Sequence, residues 1–311
     1  MYNLSYKLFT KVMSSQDTAR LKNDHDLPKN IFVARDINYA GKSGADDDVY
    51  QRLDVIYKEG TEGLLPVIFN IHGGGWIYGD KEVYHNYALR LAETGYAVVN
   101  INYRLAPQYN HPAQMLDCIK ALEWTAANAQ DYHIDLDNVF VIGDSAGASL
   151  ASFMGVFAAN DKMREHYGLS LPVKIRGLGL ACGAYGFMET LSGKVIRIVG
   201  KKLMGMYFGV PIKKAPDVAL YSTFRNMNAD FPPTFLTSCK DDFLYTENVL
   251  MAKKLKELGI KNDVLIYEND RKVKKLEHVF HYRWVYQDGS PIEEAVEVRE
   301  RMIDFFDSLR E

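Results

Sequence analysis

Apolar residues along this chain fall into short runs separated by polar, glycine-rich connections. Eight runs read as strands: Ile31–Tyr39, Val49–Tyr57, Val67–Ile71, Ala97–Tyr103, Val139–Gly143, Ile175–Ala181, Thr234–Cys239 and Val264–Tyr267. The first two alternate polar and apolar positions and are joined by a Gly/Asp-rich turn at 41–48, the pattern of an antiparallel edge pair with one solvated face. The later runs are continuously apolar and separated by helical periodicities, which predicts a mostly parallel sheet flanked by helices on both faces. One such periodicity, 112–127, places Leu116, Ile119 and Trp124 on one side. Another, 247–258, stops at Gly259, suited to a left-handed C-cap. Near the carboxyl end, Ser290-Pro291-Ile292-Glu293 predicts an N-cap serine, a first-turn proline and a capping box. The helix it opens would carry Val296, Met302, Ile303, Phe306 and Leu309 on its apolar face.

Two stretches break the alternation of strand and helix. Residues 1–29 are amphipathic and helical in character, and 184–230 are rich in Met, aromatic and β-branched residues interspersed with Gly and Lys. An insertion of that size between two sheet strands, carrying adaptable apolar side chains, predicts a lid over an apolar pocket.

Composition narrows the function classes. With 47% hydrophobic and 25% charged residues in 311, the chain buries a large core as one main domain with an insertion. Its 37 basic and 40 acidic residues leave a net charge of −3, so no global field attracts nucleic acid or an anionic membrane, and a small, weakly charged substrate is expected. The three cysteines, Cys118, Cys182 and Cys239, lie far apart inside apolar runs and read as buried thiols in a reducing compartment, with no metal-binding spacing. Residues 1–16 lack the continuous apolar segment of a secretory signal, and the longest uncharged stretch, 145–160, is too short to span a bilayer; both place the chain in the cytoplasm.

The candidate chemistry lies at two strand ends. Gly143-Asp144-Ser145-Ala146-Gly147 follows an apolar strand and precedes an Ala/Ser/Phe-rich helical stretch, the context a nucleophile elbow requires. His72-Gly73-Gly74-Gly75 follows the strand 67–71, and its amides together with that of Ala146 are placed to donate to a tetrahedral oxyanion. A serine hydroxyl needs a base held by a carboxylate, in the chain order Ser, Asp or Glu, His. After Ser145 the base is His278 or His281, His166 coming too early, and the acid is Asp241 or Asp242 after the strand 234–239. His72 reads as a structural residue that orients its own loop.

These residues resemble the hormone-sensitive lipase type of α/β-hydrolase, a family of carboxylesterases. The resemblance runs from about Ile31 to the carboxyl end. It rests on His72-Gly73-Gly74-Gly75-Trp76, Tyr103-Arg104-Leu105-Ala106-Pro107, Gly143-Asp144-Ser145-Ala146-Gly147, Asp242-Phe243-Leu244 and His278-Val279-Phe280. It implies an α/β-hydrolase domain at 30–183 and 231–311 with a helical cap formed by 1–29 and 184–230. It also implies a triad of Ser145, Asp242 and His278, and an oxyanion hole from Gly74, Gly75 and Ala146. Two departures stand out: Gln108 where the family usually has Glu, and Phe243 where it usually has Pro.

The resulting expectation is a serine carboxylesterase acting on short to medium acyl esters through an acyl-enzyme, without metal or other cofactor. Trp76, Tyr207 and Phe208 are expected to limit the pocket. Acetyl-sugar or feruloyl esters, or amides, are alternative substrates of the same site, and a non-catalytic ligand-binding protein is the alternative of a different class. An edge strand or the last helix is the surface open to a homodimer.

Overall fold

The eight apolar runs form one sheet in the order β1-β2-β4-β3-β5-β6-β7-β8. The computed structural model describes residues 3–41, 49–186, 194–215, 220–268, 275–286 and 288–310. In chain order they form α1 (Asn3–Asn23), β1 (Ile31–Asn38), β2 (Arg52–Lys58), β3 (Leu65–Ile71), α2 (His85–Ala92), β4 (Ala97–Ile101) and α3 (Ala113–Ala127). There follow β5 (Ile134–Asp144), α4 (Ala146–Ala159), α5 (Asp161–Tyr167), β6 (Ile175–Ala181), α6 (Lys194–Tyr207) and α7 (Thr223–Asn226). The chain closes with β7 (Thr234–Cys239), α8 (Tyr245–Glu257), β8 (Asn262–Tyr267), α9 (Phe280–Arg283) and α10 (Glu293–Asp307). The turn expected at 41–48 lies outside the described residues from 42 onward, as do 1–2, 187–193 and 216–219 of the two expected cap stretches.

β1 pairs antiparallel with β2, and β2 antiparallel with β4; the remaining ladders are parallel. The period-2 geometry of a strand divides the core in two. Val67, Phe69 and Ile71 of β3 join Ile119 and Leu150 on one face, while Ile68 joins Leu91 and Phe306 on the other. A strand buried on both faces has no polar side, which is why β3 reads as an apolar run broken only by Asn70, whose side-chain amide donates to Asn100 within the sheet.

Strand order reverses beside β3: the chain passes to β4 on one side and to β5 on the other. Such a switch point opens a crevice at the carboxyl ends of the strands, and both glycine motifs lie there. α1 runs over this end and is fastened at its carboxyl-terminal side. Arg90 of α2 makes a bidentate ion pair with Asp24 at 2.5 and 3.0 Å, donates to the Asp26 carbonyl and stacks over Trp284. Both charged groups are buried, so each needs the other.

Two local readings differ from the structure. α3 buries Met115, Cys118, Ile119 and Leu122, an i, i+3, i+4, i+7 stripe, and turns Leu116 outward at 37% exposure. The capping box at Ser290 does not form: α10 starts at Glu293, Pro291 pairs with Val285 in an isolated bridge, and the Ser290 hydroxyl donates to Asp288. Tertiary pairing of that segment takes precedence over its local capping signal. No helix among the described residues is long and apolar enough to cross a membrane.

Candidate active site

Ser145 sits between β5 and α4 with φ 50° and ψ −116°, a conformation that L-residues avoid and that lifts its hydroxyl clear of the sheet. Glycine is required behind it. A Cβ on Gly147 would collide with the Ile71 carbonyl oxygen and stand 2.6 Å from that of His72, so the elbow can lie against the end of β3 only without a side chain there.

The hydroxyl meets a polar relay. His278 Nε2 lies 3.0 Å from Ser145 Oγ, and its Nδ1 lies 2.8 Å from Asp242 Oδ1. A carboxylate only accepts, so Nδ1 carries the proton and Nε2 is left to accept from the serine. Asp242 is fixed by the Leu244 amide at 2.8 Å, by the Ser238 hydroxyl at 3.2 Å and by the Cys182 thiol. Burial pushes its carboxyl up, but the electrostatic interaction with His278 and these hydrogen bonds outweigh burial and hold it below the ordinary carboxylate range. Phe243, 52% exposed, packs its ring 4.2 Å from that of His278.

Cys182, Asp242 and His278 bring potential metal-ligand atoms within 4.8 Å of one another. Burial raises the Cys182 thiol well above its usual range, which disfavours the thiolate a metal would require, and both imidazole nitrogens are engaged.

The loop after β3 faces Ser145. Gly74 and Gly75 have φ of +109° and +63°, and a Cβ on Gly74 would strike the Tyr78 carbonyl. His72 is fully buried, stacks on Tyr103 at 4.1 Å and has Nδ1 2.7 Å from the Gly73 carbonyl. Behind the loop, Tyr84 accepts from the Gly73 amide at 3.0 Å and donates to Asp144 at 2.8 Å. The elbow aspartate and the glycine loop are thereby joined through one phenol. Burial raises Asp144 to about 7 against the Tyr84 hydrogen bond.

These groups open on a cavity of about 380 Å³ whose walls are overwhelmingly apolar. Gly74, Gly75, Trp76, Ser145, Ala146 and His278 all line it, with Phe9 and Met13 from α1, Val199 and Leu203 from α6, and Phe243. Asp242 stands behind the imidazole. Tyr207 and Phe208 are not brought to the cavity. Tyr207 is completely buried behind Trp76 at 4.8 Å between ring centroids, and Phe208 packs on Tyr207 and His111, so only Trp76 of the three expected pocket aromatics touches it. His281 points into the core beside Tyr87. The Tyr-Arg-Leu-Ala-Pro segment is held by a bidentate Arg104–Asp117 pair, with Gln108 exposed beside it.

Asp17, Tyr78 and Tyr282 were not foreseen. They form a polar corner of the cavity, both phenols donating to the Asp17 carboxylate at 3.0 and 3.3 Å. Nothing in the local sequence around a single aspartate in a helix signals this. Phe243 and Asp144, in contrast, lie inside motifs and were within reach.

Three buried histidines tie stability to pH. Burial lowers His72 and His111 to about 4 and His281 to about 3, whereas an unfolded histidine titrates near 6.5. Below about 6.5 the unfolded chain therefore takes up three protons that the folded chain refuses. Asp144, raised when folded, offsets one of them. Stability is expected to fall by about 2 to 3 kcal/mol per pH unit between about pH 6 and 4.5. Urea midpoints measured across that interval check this, and a flat profile would contradict the neutral, buried state of these rings.

The BD-FAE family model matches residues 53–255, a span that includes Ser145 and Asp242 and stops short of His278. Versiconal hemiacetal acetate esterase of Dothistroma septosporum is 32% identical over 222 residues, covering 66% of this chain and 65% of that protein. The chain thus spans just under two thirds of that relative. Carboxylesterase NlhH of Mycobacterium tuberculosis is 30% identical over 247 residues, 75% of this chain and 72% of that protein. Among solved structures, esterase B from Lactobacillus rhamnosis superposes with a TM-score of 0.86 at 23% identity, over 98% of this chain and 94% of that one.

Proposed function

This chain belongs to the BD-FAE family of α/β-hydrolases, of the hormone-sensitive lipase type, and we propose that it is a serine carboxylesterase for short to medium acyl esters. The observation that carries the reading is the relay of Ser145, His278 and Asp242, at 3.0 and 2.8 Å, on the floor of an apolar cavity. Ser145 Oγ attacks the ester carbonyl as its proton passes to His278 Nε2, and the imidazolium is stabilised by Asp242. The amides of Gly74, Gly75 and Ala146 receive the negative oxygen, fixed donors of this kind being worth about 2.7 to 4 kcal/mol each. Collapse expels the alcohol with the proton from His278. Water, activated by the same imidazole, then releases the acid and restores the serine.

In this reading α1 and the 184–230 insertion form the cap. Phe9, Met13, Val199 and Leu203 bound the acyl or alcohol group from above, and Trp76 from the side. A cavity of about 380 Å³ has room for more than an acetyl group. Each further methylene buried is worth about 0.8 kcal/mol, so kcat/KM for p-nitrophenyl esters is expected to rise a few-fold per carbon from acetate to about hexanoate. It should then fall for long chains. The 32% identity to an acetate esterase favours a second reading, an acetyl ester substrate, in which acetate heads the series. A phosphonate ester should label Ser145, read by peptide mass. Absence of both labelling and turnover, with tight binding of a small acid, would replace the enzyme by a ligand-binding protein.

A further inference from the structure

The near-neutral total charge of the chain conceals an uneven distribution. α1 and α6, the helices above the cavity, each contain four Lys or Arg residues, and of acids α1 has Asp17 alone and α6 none. Asp17 is buried and engaged by Tyr78 and Tyr282. Outward from the two helices, Lys7, Lys11, Lys201 and Lys202 are exposed, so among the described residues this roof shows solvent only cationic and neutral groups.

Apolar side chains stand among those lysines. Val12 is 47% exposed, Ile198 50% and Val199 45%, and Phe243 across the opening is 52% exposed. Val199 and Phe243 also line the cavity, so the apolar surface continues from the outside of the roof into the pocket. Asp241, two residues before Phe243, is an exposed countercharge at the loop, and Glu277 and Asp288 are exposed beside Gln16 and Arg20 at the carboxyl-terminal half of α1, with Glu277 paired to Arg283, which leaves the attraction to reside in Lys7, Lys11, Lys201 and Lys202. Clustered lysines with large apolar side chains between them are matched by an interface that is negative at its surface and apolar beneath it.

We propose that the α1–α6 face docks on anionic lipid surfaces, with Lys11, Lys201 and Lys202 at the headgroups and Val12, Ile198 and Val199 entering the acyl boundary. Docked in this way, the cavity opens toward the apolar phase and an insoluble ester enters without crossing water. That delivery rests on the esterase reading, whereas the docking itself needs no turnover.

The test is cosedimentation of the full chain with vesicles of phosphatidylcholine alone or with about 30% phosphatidylglycerol. Partitioning is expected to be at least about tenfold greater on the anionic vesicles and to weaken several-fold when salt is raised from about 0.05 to 0.5 M. The triple variant K11E/K201E/K202E should lose that preference while keeping the melting temperature and the hydrolysis of soluble p-nitrophenyl butyrate. A Val12→Ser/Ile198→Ser variant should bind several-fold less while retaining its salt dependence. Equal partitioning on both vesicles, or an unchanged triple variant, overturns the proposal. So does a concentration-dependent dimer in sedimentation velocity that the triple variant abolishes, since a second copy would then be what covers this face.

Discussion

Replacing Ser145 with alanine is expected to reduce ester turnover by about 10⁴-fold or more, with little change in melting temperature. The hydroxyl accepts no packing duty: its partner is His278 Nε2 at 3.0 Å, and the strained φ of 50° is a property of the backbone that alanine must share. Groups that act as a unit fail together, so His278→Ala belongs in the same range. Asp242→Asn should fall by about 10⁴-fold because the amide can donate to Nδ1 and favour the wrong tautomer. Initial rates on p-nitrophenyl butyrate, with organophosphonate titration of active sites, measure all three. A Ser145→Ala protein that keeps more than about a tenth of the parent rate would remove the serine from the chemistry.

Gly147→Ala is expected to be severely damaging, because the added methyl group has nowhere to go. Its Cβ would meet two backbone carbonyls, those of Ile71 and His72, at the end of the central strand β3, and neither is the free end of a side chain that could swing aside. Relief requires α4 to move away from β3, which separates Ser145 from the glycine loop. The cost is expected to exceed about 4 kcal/mol, the level reached only when backbone or core cannot relax. For a chain of this size that lowers the melting temperature by about 6 °C or more, and turnover falls with it. Thermal melts and soluble yield read the first effect, kcat the second. A variant with parental values for both would mean that the helix and strand are not in contact as described.

Most of the fold was legible because strands buried on both faces leave unbroken apolar runs. Each of the eight runs corresponds to a strand, with shifts of up to five residues at the ends of β2, β3, β4, β5 and β8. What the runs do not encode is their neighbours. β4 lies between β2 and β3, an order decided by how the crossovers pack, and the crevice at the switch point follows from it. Ser145 and the glycine loop announced themselves through residues that tolerate special backbone angles. Asp242 and His278 were narrowed by chain order to two candidates each, and the resemblance chose between them. The structure brings the chosen pair together with Ser145 and leaves His281 facing the core.

The misses share a cause. Tyr207 and Phe208 are bulky and lie in the insertion, yet helix rotation decides whether such rings face a cavity or one another, and here they close an aromatic cluster around His111 and Tyr221. Leu116 turned outward for the same reason, since a helical stripe one residue away buried more surface. Tyr84, Asp17 and Cys182 reach the site from distant parts of the chain, without a motif to mark them.

The clamp of Asp24 on Arg90 holds α1 from its far end, and the helix reaches the cavity through Phe9, Met13 and Asp17. None of the three touches Ser145, Asp242 or His278 by a hydrogen bond, and the family match begins after this helix. On this side of the cavity, the ceiling is therefore physically separable from the floor. Exchanging a few side chains overhead, at Phe9 or Met13, would redraw the shape of what enters while leaving the hydrogen bonds among Ser145, His278 and Asp242 untouched.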